Sequence, residues 1–201
     1  MPTKLSVFND CLGLLGQTLL DSDLDDNEDG DTLRGHWQSV IELAHEKTAW
    51  DFAKLRAECA RSATEPVSGY LYYYTVPSDC LRILTVSASG IPGDNLIDWD
   101  GEPGKIATDA ETVYITYVST ESLTQVGRWS ASFAYYVATE LAIRSAPKIN
   151  ASAVENITKE RKKALSDAIG LDATQGPIRR RAHGSWSSAA LVGRRSREQS
   201  R

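Results

Sequence analysis

The residues in this chain that could do chemistry are an acidic cluster, three histidines, three cysteines and an arginine-rich segment. The acidic cluster is Asp21–Asp31, with seven carboxylates in eleven residues. From Asp25, the run Asp25-Asn27-Asp29-Gly30-Asp31 has the oxygen spacing of the first half of a calcium loop. The twelfth position should carry a bidentate glutamate and carries His36, so the oxygen cage is incomplete. Like charges at that density repel one another, which predicts a solvated loop over 21–31. His36, His45 and His183 fall in no HExxH pattern, and no GxSxG, phosphate loop or GxGxxG occurs. Cys80 follows Asp79 just after Pro77, but no spacing supplies the base that a thiol nucleophile needs. Nothing here predicts an enzyme, a metal or a cofactor.

The arginines are more telling. Ile178–Arg201 carries seven arginines and one acid, Glu198, a charge of +6. The whole chain carries -5, so the preceding 177 residues carry -11. The expected organisation is an acidic body (1–177) with a basic C-terminal tail (178–201), and such segregation predicts an interaction tail. Arg179, Arg180 and Arg181 precede an apolar centre holding Trp186, Leu191 and Val192, and Arg194, Arg195 and Arg197 follow it. A purely electrostatic DNA arm has no need of tryptophan or leucine. An apolar anchor between arginine clusters is suited to a groove on another protein, where Trp and Arg dominate binding energy. A DNA-binding protein using the tail as an arm is the competing reading, and it requires affinity that falls steeply with salt.

The body must position whatever the chain does. The whole chain of 201 residues, 41% hydrophobic and 24% charged, fits one folded domain with an appendage. Cys11, Cys59 and Cys80 are odd in number and widely spaced, which suits a reducing compartment. No apolar run approaches the ~20 residues of a membrane helix, and the N-terminus lacks a signal pattern. Leu5, Phe8, Leu12 and Leu15 predict a helix over about 3–16, capped by Thr3 and ended by Gly16. Leu33, Trp37, Val40, Ile41 and Ala44 predict another over about 32–47. The alternation through Ala53–Cys59 predicts a strand, as do Leu71–Val76, Leu81–Val86 and Val113–Val118. Asn95–Trp99 reads as a weakly pairing stretch, Asp100–Gly104 as a turn cluster and Lys105–Thr108 as short and extended. Helical spacing returns over about 129–146, stopped by Pro147, and over about 151–169, ended by Gly170. The predicted class is α+β: a four-helix body with a small antiparallel sheet inserted over about 52–118. The tyrosines of 70–74 and Tyr114 could stack bases, but the RNA-binding signature is absent and an acidic body repels phosphates, so packing is the better reading.

The order of these features resembles the tail tubular protein A family, the head-to-tail adaptors of short-tailed bacteriophages. The residues carrying the resemblance are Asn9 and Leu15-Gly16, then Thr48-Ala49-Trp50-Asp51-Phe52-Ala53 and Arg56-Ala57. Gly69-Tyr70-Leu71-Tyr72-Tyr73-Tyr74 and Val76-Pro77-Ser78-Asp79-Cys80-Leu81-Arg82 follow, then Lys105-Ile106, Thr108 and Val113–Val118. The resemblance covers about 3–170 and does not extend to the tail. It implies a structural virion protein at the head–tail junction, made in the host cytoplasm. It also implies a ring, usually of twelve copies, between the portal and a tail nozzle of the tubular protein B kind. C-terminal extensions would reach the portal, and genomic DNA would pass through the lumen without sequence-specific binding.

Overall fold

The computed structural model describes residues 1–67, 69–91 and 94–175. Five helices and six strands follow in the order α1 (Lys4–Leu15), α2 (Glu28–Glu46), β1 (Lys54–Glu58), β2 (Tyr72–Thr75), β3 (Cys80–Ser87), β4 (Asp100–Glu102), β5 (Lys105–Thr108), β6 (Tyr114–Ser119), α3 (Glu121–Thr124), α4 (Ala131–Ile149) and α5 (Val154–Gln175). The architecture is α+β, as the sequence periods predict.

Local signals start and stop α1. The Thr3 hydroxyl accepts from the Ser6 N–H and the Ser6 hydroxyl from the Thr3 N–H, a reciprocal capping box. Gly16 closes the helix at φ 71°, where a side chain would be strained, and its N–H returns to the carbonyls of the last turn. Val7, Phe8, Cys11, Leu12 and Leu15 form the buried face.

The other three expected helices depart from their expected bounds, and a short helix, α3, lies at Glu121–Thr124, where none was expected. α2 begins at Glu28 rather than near residue 32, because the Asn27 side chain accepts from the Gly30 N–H at 2.6 Å and caps it. Glu28, Asp29 and Asp31 then lie in the first turn, where negative charge complements the helix dipole. Four of the eleven residues of the expected acidic loop, 28–31, are therefore helix. α4 runs through Pro147 to Ile149. Proline there forfeits only the bond its own N–H would make near the helix end, and the Asn150 N–H still reaches the Ala146 carbonyl at 2.9 Å. A short 3-10 turn at Ala151–Ala153 leads into α5, which begins at Val154 and passes Gly170 to reach Gln175. Buried Asp172 explains the extra length: its carboxylate accepts the Asp51 N–H at 2.9 and 3.2 Å. That contact docks the last turn where helix propensity alone would stop it.

Helix α4 is the centre of the body, packed by α1, α2 and α5. Phe133, Tyr136, Val137, Ala138, Leu141 and Ala142 on it are fully buried. An aromatic group forms around Phe133: Trp50, Phe52, Trp129 and His45 have ring centres 4.7–5.1 Å from it. The Trp50 indole N–H donates to the Ala44 carbonyl and the Trp129 N–H to the Ser122 carbonyl, so neither polar tip is stranded.

The β-rich insertion consists of two three-stranded antiparallel sheets, ordered β1-β6-β3 and β2-β5-β4. Two segments belong to both. Beyond β1, Arg61 bridges Tyr74 of β2, with Ser62 N–H to Tyr73 O at 2.8 Å and Thr75 N–H to Ala60 O at 2.9 Å. Before β4, Leu96 bridges Ser87 of β3. The sheets thus face each other as a flattened barrel, left open between the first half of β3 and β4, around Cys59, Tyr74, Val86, Ile106, Ile115 and Tyr117. The expected turn cluster at Asp100–Gly104 is half strand. Asp100–Glu102 pairs with β5, and Pro103-Gly104 makes the turn, Gly104 at φ 75°. Val118 and Leu84 on the barrel's other face join the helical core.

Candidate functional site

The tail residues named above, Arg179, Arg180, Arg181, Trp186, Leu191, Val192, Arg194, Arg195 and Arg197, lie outside the described residues, as does His183. What can be built from geometry is the body they leave from.

The acidic segment does not take up a calcium-loop conformation. Asp25 turns its carboxylate to the N–H groups of Asp21 and Ser22, at 2.8 and 2.9 Å. Asn27 caps α2, and Asp29, Gly30 and Asp31 are already helical. The Arg34 guanidinium fills the concave side, donating to the carbonyls of Asp23 and Asp25 and to the Asp31 carboxylate at 2.7–2.9 Å. Side-chain oxygens of Asp25 and Asn27 are engaged by backbone N–H groups, and one of Asp31 by Arg34. Asn9 of the motif string clasps the start of this segment, its amide exchanging two hydrogen bonds with the Leu20 backbone.

The Pro77 turn is a clamp. The Asp79 carboxylate accepts the Ser119 hydroxyl at 2.6 Å and the Tyr117 hydroxyl at 3.2 Å, and its carbonyl accepts the Thr120 N–H at 2.8 Å. These bonds tie the entrance of β3 to the exit of β6. Burial and then the Asp79 charge push the Tyr117 phenol up to about 12. Burial, reinforced by Asp79, also raises the Cys80 thiol, and burial pushes Cys59 up to about 11. Thiolate formation is opposed at both sites, the reverse of what a cysteine nucleophile requires. Buried His45 donates from Nδ1 to the Ile41 carbonyl at 2.7 Å and is ringed by Phe52, Trp129 and Phe133, and burial lowers its pKa. It is a core residue.

Most residues that carry the family resemblance are therefore packing, capping and clamping residues. Gly16 ends α1, Trp50 fills the helical core, Tyr72 and Tyr74 pack in the barrel, and Asp79 closes its turn. Tyr73 points the other way and donates to Glu102.

Two hollows mark the barrel surface. A recess of about 190 Å³ on the open face of β1-β6-β3 is lined by Arg56, Glu58, Thr85, Ser87, Tyr114 and Thr116, with Gly90 beneath the Tyr114 ring. A groove of about 400 Å³ lies along the open seam of the barrel, between the first half of β3 and β4. Val76, Cys80 and Ile83 form its floor, and Leu81, Arg82, Trp99, Gly101, Glu102 and Lys105 its sides. The Trp99 ring lies so close over Gly101 that a Cβ there would meet it at 3.2 Å. Leu81 is 46% and Trp99 39% exposed. Sequence reading did not single out this groove.

No family model matches the chain, and no curated protein matches it.

Proposed function

We propose that the chain is a structural virion protein of the tail tubular protein A kind, a head-to-tail adaptor. Copies of it form a ring, of about twelve by the family pattern, between the portal and the tail nozzle. The C-terminal tail docks on the portal, and the ring forms part of the channel through which DNA leaves. The observation that carries this reading is the ordered motif string from Asn9 to Val118, whose members include the caps, clamps and core residues of one continuous α+β body. Two further features support it. The body is acidic, which suits a channel wall that must not grip DNA. The tail pairs an apolar centre with basic flanks, which suits a protein groove.

Negative-stain microscopy of the protein mixed with its portal tests the reading. Rings seated on the portal are expected; a monomer that ignores the portal overturns it. Trp186→Ala should weaken docking more than any single arginine substitution, because it removes buried area rather than a partly screened charge. If instead deleting 178–201 abolishes a salt-sensitive DNA affinity and leaves portal docking intact, the tail is a DNA arm.

A further inference from the structure

Leu24 is an apolar knob with no pocket of its own. It is 75% exposed on the turn before α2, and the carboxylates of Asp21 and Asp26 stand exposed on either side of it. The turn is braced. Asp25 accepts the Asp21 and Ser22 N–H groups, and the Ser22 hydroxyl accepts the Leu24 N–H at 3.2 Å. Arg34 donates to the carbonyls of Asp23 and Asp25, one on each side of Leu24. A side chain fixed before it meets a partner loses little freedom on docking.

The groove between β3 and β4 has the complementary character. Its floor is Val76, Cys80 and Ile83, and Leu81 and Trp99 stand half in solvent beside it. Two cations, Arg82 and Lys105, line it against one anion, Glu102. Glu102 already accepts the Tyr73 hydroxyl, and Lys105 is turned toward Thr64 and the Tyr73 ring. Exposed Arg82 has no ion-pair partner among the described residues. Asp98 and Asp100 alternate with Trp99 and Gly101 along their segment and do not line the groove.

Leu24 does not reach the groove of its own chain. Its turn sits at the N-terminal end of α2, a helix of 19 residues and thus about 28 Å long. The other end of α2 is the one beside the barrel: Trp50 donates to Ala44, and the His45 ring meets Phe52 just before β1. Lys54, Val118 and Arg82 are direct partners across β1, β6 and β3, which puts the groove about 10 Å from the start of β1.

We propose that Leu24 of one copy seats in the β3–β4 groove of a second copy, with Asp21 and Asp26 toward Arg82. Knob and groove are different surfaces of one chain, so the contact is head-to-tail and repeats from copy to copy. It rests on the adaptor reading for closure into a ring, and it names the surfaces by which neighbours meet.

Sedimentation of the full-length chain tests this. The parent should associate as its concentration rises. Leu24→Asp and Arg82→Glu should each weaken association about ten-fold. Both side chains are exposed, so urea midpoints should not move. An equimolar mixture of the two variants retains one intact knob and one intact groove. It should form a one-to-one dimer and nothing larger. A parent that stays monomeric, a substitution that leaves association unchanged, or a mixture that forms no dimer overturns the proposal. Rings on a portal that survive both substitutions also overturn it and leave the adaptor reading standing. The mixed dimer, found together with a parent that ignores the portal, supports the contact and overturns the adaptor reading.

Discussion

The helical body and the barrel solve the same problem, burying apolar surface, with different amounts of closure. The body wraps α4 on several sides and packs aromatic rings around Phe133, so that Trp50, Trp129, Phe133 and Tyr136 are buried, while Leu43 of α2 and Ile169 and Leu171 of α5 stay exposed. The barrel encloses a smaller core and leaves Val67, Leu71, Leu81, Ile91, Leu96 and Trp99 exposed. One of its seams is open. The difference places the larger buried core in the helices and the open seam in the barrel.

The largest effect should come from the body. Phe133→Ala removes the ring on which four other rings pack and should cost about 3–5 kcal/mol in urea denaturation. A cost below 1 kcal/mol would mean that the body is not the stabilising half. Next is the clamp between the two ends of the β3–β6 pair. Asp79→Ala leaves the Ser119 and Tyr117 hydroxyls without their acceptor and should cost about 1–3 kcal/mol. Exchange should then rise first at the start of β3, ahead of the helices. If the helices open at the same rate, body and barrel melt as one unit.

A smaller effect separates the two by pH. His45 lies in the body, and burial holds its pKa below the ordinary 6.5 despite the nearby Ile41 and Ser122 carbonyls. The unfolded chain therefore takes a proton that the folded chain refuses. The His45 contribution is fully present above about pH 6.5 and is lost as pH falls from there toward the lowered folded value. His45→Gln should flatten that loss between pH 7 and pH 5.5, measured as urea midpoints. Asp10 and buried Asp172 are raised from 3.8 by desolvation and act in the opposite sense, at more acidic pH. The smallest effect belongs to the groove: Leu81→Lys should change global stability by less than about 0.5 kcal/mol. A larger loss would show that Leu81 serves the core rather than the surface.

Much of this molecule is legible in the order of its residues. Thr3 and Gly16 announce the ends of α1, alternation announces β1, and a run of β-branched and aromatic residues announces β6. The charge division between body and tail is a property of composition alone. These signals are local, carried by residues three or four positions apart or by simple counting. What the tertiary structure decided lies at longer range. α5 outlasts Gly170 because Asp172 meets Asp51, 121 residues earlier. The expected single sheet becomes a barrel because the segments around Arg61 and Leu96 each pair twice. The acidic run becomes a helix start closed by Arg34, since a carbonyl or carboxylate is satisfied by whichever donor the fold brings near. The groove beside Trp99 exists only because two strand edges, distant in the chain, stop short of pairing. Caps and periods are written in spacing; closure and its gaps depend on which distant partners the backbone can reach.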